Sequence, residues 1–451
     1  MLCGFASGLD ATSTFIVFPA IRNDLASGDT ASATWVLTIT GIVSAAILLQ
    51  AGRLADRFGH NRILVVSAFT TTLASMLAAV APTLELLVAA RGLQAAALAG
   101  LGVSSIAIIV RETPVSKLAG ALGLWGFWTA TSGVVGPTLA AGYVEISSWR
   151  WIFATAAPIG LVIAWLAAPG WVSNHVPKRG GAIDYVGTAL AMGGLSLLVF
   201  ALLEGNDWGW ASGRTVGSIG VGALLIALVV LRSRVHPDPI VPLHLFSNTG
   251  YVLSLAIGFI ANIGFFGMWL ALLSYATDVW DYSLISTGLL LTLMPGTMAL
   301  MARGAGRFAD ANGFRGVMAP GAAVFTIGFA IAALTVDATP QAALLLPAVV
   351  AAGIGMATVL PSVTTVGTRT LDPRFIGTGT AIMQTTHRIG GALGSAIVVA
   401  LLETGQIGDP ATHRRSLWMI VVAGALVTGL SLTLTPKRIG PPHRVDSPAV
   451  F

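Results

Sequence analysis

Apolar stretches of membrane-spanning length follow one another along the whole chain, separated by short polar turns. They lie near 2–21, 35–54, 63–82, 84–110, 118–143, 151–172, 185–203, 215–231, 249–275, 284–302, 317–336, 341–367, 376–402 and 417–435. About 20 apolar residues in helical conformation cross the hydrocarbon of a bilayer. Backbone N–H and C=O groups find no water there, so each stretch is expected to be a helix. A barrel of strands needs period-two alternation, which the chain lacks. The pattern predicts an all-α integral membrane protein of fourteen transmembrane helices.

The polar breaks carry a repeat. GRLADRFGHNRIL (52–64) is the most charged short run among the first hundred residues, and it lies between two apolar stretches. It returns 254 positions later as GRFADANGFRGVM, where Gly52, Arg53, Ala55, Asp56 and Gly59 match Gly306, Arg307, Ala309, Asp310 and Gly313. Gly100 and Gly102 recur as Gly353 and Gly355, and Gly133 and Gly136 as Gly391 and Gly394. The chain therefore holds two copies of one unit. We expect a six-helix bundle over 1–172, a linker with two inserted spans over 173–248, a second six-helix bundle over 249–436 and a tail over 437–451. Parallel repeats of this kind place a binding site between the halves, near the middle of the bilayer.

Composition narrows the function classes. With 55% apolar residues, 10% charged and a mean hydropathy of +0.84, this is no water-soluble globule. The net charge of +5 is scattered through the turns, so no nucleic-acid-binding face is expected. The single cysteine, Cys3, excludes a disulfide framework or a cysteine metal site, and neither metal nor cofactor is expected. No P-loop pattern occurs. An enzyme should show a polar catalytic cluster at a membrane face, and a sensor a soluble output domain; the chain offers neither. Lys and Arg concentrate in alternate turns, Arg53, Arg57, Arg62, Arg111 and Lys117 among them. The opposite turns hold only Arg22, Arg150, Arg214, Arg414 and Arg415. Such a bias predicts a multi-pass protein of the plasma membrane with both termini cytoplasmic. The first span leaves no room for a cleavable signal peptide.

These motifs carry a resemblance. The run 52–62 resembles the G-x-L-A-D-R-x-G-R-R loop of the major facilitator superfamily of secondary transporters. IDYVGTALAMGG, EGNDWGWAS and HPDPIVPLHLF in the insert, with SSWRWIFATAAPIG near 147–160, resemble its fourteen-helix drug:proton antiporter branch. The first span resembles that branch's L-D-x-T-x-x-N-x-A-L-P signature at Leu9, Asp10, Thr12 and Pro19, with Phe15 where the family has Asn. Asp10 stands nearer the start of the chain than the family's acidic residue does, and a start further upstream is expected. LVAARGLQAAA resembles R-x-x-Q-G, with Ala95 in place of the glycine, and TTHRIGGALG resembles R-x-x-G-G-A-L-G. Around Gly123, Gly126, Gly133, Gly136 and Pro137 the chain resembles the motif that marks antiporters in this superfamily. Ser132 and Ala140–Ala141 replace glycines there. All the replacements are small, so close helix packing is preserved.

Candidate chemistry rests on few groups. Ser7, Asp10 and Thr14 share one helical face. A carboxylate inside a span is costly when ionised, which favours taking up a proton. The alternative is an Asp lying near the water interface of a short helix. Arg91 and Gln94 share a face one turn apart. A permanently charged arginine tunes a nearby carboxyl or neutralises it once the proton leaves; a snorkelling arginine is the bland alternative. Thr380, Gln384, His387, Arg388 and Gly391 form one stripe, and an unperturbed histidine changes charge near physiological pH, so His387 is expected to join a proton relay. A buried, hydrogen-bonded core histidine would look the same. Proton coupling is thus expected at Asp10, Arg91, His387 and Arg388.

Thr14, Gln94, Trp125, Trp128, Asn262, Phe266, Trp269 and Gln384 are the candidate substrate contacts, with Phe265 and the Met294–Met298–Met301 stripe nearby. Aromatic and thioether surfaces adapt to varied lipophilic guests, although such stripes equally serve helix packing. Gly52, Asp56, Arg57, Gly59, Arg62 and Asp310 form the candidate gating loop, and the resemblance implies a latch there, with Asp56 in the turn before the third span. Together these features predict a monomeric, proton-coupled exporter of amphiphilic small molecules. Uptake by proton symport is the alternative, against which the glycine motif speaks.

Overall fold

The computed structural model describes residues 1–26, 30–114, 117–168, 184–369, 371–403 and 409–434. The linker ahead of residue 184 and the 437–451 tail lie outside the described residues, as do the side chains of Phe15, Gly306, Arg307 and Asp310. Every regular element among the described residues is helical. In chain order they are α1 (Leu2–Leu25), α2 (Thr30–Phe58), α3 (His60–Ala79), α4 (Leu84–Glu112), α5 (Leu118–Ile146), α6 (Arg150–Leu166) and α7 (Tyr185–Trp208). Then come α8 (Gly213–Ser233), α9 (Thr249–Ser274), α10 (Leu284–Thr335), α11 (Ala342–Arg369), α12 (Ile376–Glu403) and α13 (Pro410–Leu432). Ten helices among the described residues are long and apolar enough to cross a membrane, or eleven if the bent α1 counts as one span.

The polar turns end the spans by capping them. Asp184, Ser212, Asn248, Ser283 and Asp409 each accept a backbone N–H from the first turn of the helix that follows, at 2.8–3.2 Å. A side-chain oxygen there satisfies amides that have no partner within the helix. At Asp184, outside the spans, burial alone would raise the carboxyl pKa. The Arg232 guanidinium and the Gly187 N–H outweigh it and hold the carboxyl below its ordinary value.

The repeat motif is not the loop expected from the sequence. α2 runs through Gly52, Arg53 and Asp56 to Phe58, and the chain turns at Gly59 alone, with φ 98°. In the second copy α10 continues from Leu284 to Thr335 and breaks only at Gly313, with φ 79°. The two turning glycines are 254 positions apart, so the sequence repeat is also a repeat of backbone geometry. Positive φ is open to glycine at little cost, and a side chain at either place would be strained. Asp56 therefore lies in the last turns of a helix, not in a turn, because that helix end is packed against other helices.

The two halves repeat their packing as well. α1 packs on α5 and α9 on α12; α3 packs on α4 and α6, and α10 on α11 and α13. Glycines set the closeness of the first pair type. A Cβ at Gly136 would stand 2.5 Å from Thr12 Oγ1, and one at Gly394 would overlap the Ile263 carbonyl. Gly394→Ala is accordingly expected to cost about 1–3 kcal/mol, the usual penalty for overpacking against backbone. It should appear as a lower unfolding temperature in detergent, with Gly142→Ala, where nothing lies within 4 Å, as the unaffected control. Across the halves α2 packs on α12, and α5 on α10 and α11. α7 lies against both α2 and α12, with α8 behind it. Trp35 of α2 stacks on Phe200 of α7 at 5.9 Å.

Candidate functional site

Two polar centres stand out in this apolar fold. The first lies between α1 and α4. Arg91 is 1% exposed and gives its Nη1 to Asp10 Oδ1 and, at 2.6 Å, to Gln94 Oε1. Gln94 Nε2 in turn donates to Ser75 Oγ of α3 at 3.0 Å. The guanidinium carbon is 5.4 Å from the Phe153 ring centre. A guanidinium sealed in a helix bundle is tolerable only with a counter-charge, which Asp10 supplies; Gln94 adds a hydrogen bond at the same nitrogen, while the buried Nε makes none. The pair borders a cavity of about 10 Å³ lined by Ser13, Thr14, Gln94 and Phe153, near the minimum that one water requires. Thr14 Oγ1 donates to the Asp10 carbonyl at 2.8 Å, and Ser7 Oγ to the Cys3 carbonyl at 3.1 Å. Sequence reasoning found Asp10, Arg91 and Gln94. It missed Ser75 and Phe153, which belong to other helices and carry no motif.

The second centre is at the end of α2. Asp56 is 1% exposed and belongs to the first half, yet its carboxylate caps a helix of the second. Oδ1 accepts the Gly377 N–H at 2.7 Å, and Oδ2 accepts the Thr378 N–H at 2.7 Å and the Thr378 hydroxyl at 2.6 Å. These are first-turn amides of α12, where the helix dipole favours a negative charge. His60 Nε2 lies 3.7 Å from Asp56 Oδ1. The helices touch through glycine: a Cβ at Gly52 would stand 2.6 Å from Ala381 Cβ and from the Gly377 carbonyl oxygen. Arg57 lies over the Phe58 ring, Gly59 makes the turn, and Arg62 is exposed. Gly377 and Thr378 had no signal in the sequence beyond standing at the start of an apolar stretch.

The remaining candidates are dispersed. Trp125 Nε1 donates to Ser105 Oγ of α4 at 3.3 Å, and Trp128 meets Phe5 edge to face at 6.2 Å. Asn262 is buried and returns its amide to the Gly258 carbonyl of its own helix at 2.8 Å. Phe266 and Trp269 lie exposed on α9, whereas Phe265 packs edge to face on Phe325. Met294 and Met298 are buried and Met301 is exposed. On α12, Gln384 and His387 are half-buried and Arg388 is exposed. His387 sits against Gly258 of α9. Gly133 and Gly136 face Thr12 of α1, and Pro137, the residue after Gly136, lies inside α5.

Comparison with known proteins bears on all of this. The profile of the Major Facilitator Superfamily matches residues 1–395. The chain is 30% identical over 413 residues to the puromycin resistance protein pur8 of Streptomyces alboniger, covering 90% of this chain and 80% of that one. It is 27% identical over 395 residues to the multidrug resistance protein Stp of Mycobacterium tuberculosis, covering 87% and 73%. Among solved structures, the proton:xylose symporter XylE superimposes with a TM-score of 0.67 at 14% identity, covering 95% of this chain and 92% of that one. That likeness is one of fold.

Proposed function

This chain belongs to the Major Facilitator Superfamily, a transporter and not an enzyme, and from that premise we propose that it exports amphiphilic small molecules in exchange for protons. Relatives named for puromycin and multidrug resistance support the direction and the substrate class. The observation that carries the coupling is the Asp10–Arg91 pair, an ionisable group held inside the bundle by a partner that cannot give up its charge. Protonating Asp10 dissolves the pair and frees α1 from α4, so proton uptake and the helix arrangement are linked. His387 and Arg388 on α12 are the second-half counterparts in this reading. Substrate binds between the halves, against Thr14, Gln94, Trp125, Trp128, Asn262, Phe266, Trp269 and Gln384. Fourteen spans in two bundles, over 1–172 and 249–436 with an insert between, complete the architecture. The chain works as a monomer in the plasma membrane, its termini and the α2–α12 contact on the cytoplasmic side. The arrangement described above is then the one closed to the cytoplasm.

The test is transport in proteoliposomes with an imposed pH gradient, using a panel of amphiphiles that includes puromycin. The expected result is amphiphile movement opposite to proton flow, accelerated by the gradient and abolished by a protonophore. Movement in the same direction as protons would make the protein a symporter. Indifference to the gradient would remove protons from the mechanism.

A further inference from the structure

The end of α2 makes a second bond, and its partner lies in the inserted region. Arg53, one turn before Asp56, gives Nη2 to the Asp238 carboxylate and, at 3.2 Å, to the Asp238 carbonyl. Asp238 stands between Pro237 and Pro239, whose fixed φ stiffens the short strap leaving α8. Its own N–H is held by His236 Nδ1 at 3.1 Å. Two residues on, Ile240 is buried and lines a cavity with Arg53, Leu54 and Asp184, while Leu245 is buried in the single turn Leu243–Ser247, which packs on α9. His244 meets Phe375 at 4.6 Å, one residue before α12 begins. The strap is thus anchored on the second half, at the helix start that Asp56 caps.

α7, in contrast, is tied to α2. Gln50 Nε2 reaches the Thr188 carbonyl at 3.4 Å near the same end, and Trp35 stacks on Phe200 further along. Asp184, at the start of α7, accepts Arg232 Nε from the last turn of α8 at 2.5 Å, which brings the strap's departure point beside α2. α7 also packs on α12, but its hydrogen bond and its ring stack are made to α2, while the far end of the strap leaving the insert is fastened to the second half. Arg53–Asp238 bridges the two.

We propose that Asp238 is a positioning residue of the gate: with Arg53 it forms a second bond across the halves, so the inserted segment helps hold the α2–α12 end closed. The proposal rests on the latch reading of Asp56. The two bonds have opposite polarity, since α2 offers a carboxylate to helix amides and a guanidinium to a carboxylate. Sliding α2 along α12 cannot exchange one partner for the other. The pair is partly exposed, at 12% for Arg53 and 21% for Asp238, so its effect is smaller than that of Asp56.

The test places spin labels on cysteines replacing the exposed Lys117 and Arg374, one in each half, in a Cys3→Ser background. Asp238→Asn is expected to raise the population with the longer interlabel distance about 2- to 5-fold. Arg53→Asp alone should do at least as much, and Arg53→Asp with Asp238→Arg should recover much of the closed population. A structural role in the strap alone would not be rescued by that exchange. If Asp56→Asn shifts the distribution while Asp238→Asn and Arg53→Asp each leave it at the parent's, the proposal is overturned and the Asp56 latch survives. If Asp56→Asn too leaves it unmoved, the latch reading falls and this inference with it.

Discussion

Asp10→Asn should abolish pH-gradient-driven efflux, with a loss on the order of 100-fold or more, down to the leak of empty liposomes. Asparagine keeps the size and the acceptor oxygen of the carboxylate, so Gln94 and Ser75 retain their places. What disappears is the only part of the pair able to take up and release a proton. The guanidinium of Arg91, 1% exposed, is left without its counter-charge. Removing one partner of a buried pair costs about 3–5 kcal/mol, so some loss of thermal stability is expected alongside. Two controls separate coupling from damage. Asp10→Glu restores the charge and should recover part of the gradient response. Substrate binding, or downhill exchange of labelled for unlabelled amphiphile, should persist in Asp10→Asn because neither requires net proton movement. Gradient-driven efflux at the parent rate in Asp10→Asn would clear Asp10 and move attention to His387 and Arg388 on α12.

The second large effect belongs to Asp56→Asn, which should slow turnover far more than it weakens substrate binding. The carboxylate accepts three hydrogen bonds from Gly377 and Thr378. An amide keeps one acceptor oxygen and turns an NH₂ group toward donors, so at least one charge-assisted bond is lost. A bond of that kind is worth about 1.5–3 kcal/mol, which corresponds to about 10- to 150-fold in the ratio of the two states. The contact joins the halves and is available only while they meet at this end, so it acts through the conformational equilibrium. The expected readout is greater reactivity of cysteines placed along the α2–α12 seam, in a chain lacking Cys3, with KM for the amphiphile little changed. Normal turnover with unchanged reactivity would reduce Asp56 to a helix-end packing residue.

Much of this protein was legible in order along the chain. In hydrocarbon the backbone has one economical solution, so apolar stretches of span length mark helices without further information. The repeat was legible for the same reason: Gly59 and Gly313 each need a backbone conformation that few other residues adopt, and that need survives in the sequence at a constant offset. Asp10 and Arg91 were legible because charge inside a span is rare enough to be conspicuous, and Gln94 because it stands one helical turn from Arg91.

The partners were not. A turn at 52–62 was the natural reading of a charged run between apolar stretches. Only the packing of Gly52 against Gly377 shows that the helix continues and that Asp56 serves a helix 321 residues away. Backbone amides are identical at every position, so no sequence signal marks Gly377 and Thr378 as donors; their place at the first turn of α12, opposite a carboxylate, does. Asp238 shows the same limit, since its sequence neighbours reveal a stiff strap but not the arginine it meets. Asn262 shows the converse, a polar residue at helical spacing that the fold satisfies with its own backbone. Hydrophobic pattern determines which segments are helices, because burial depends on composition. Which polar group answers which is set by helix packing between distant segments, and that the tertiary structure alone decided.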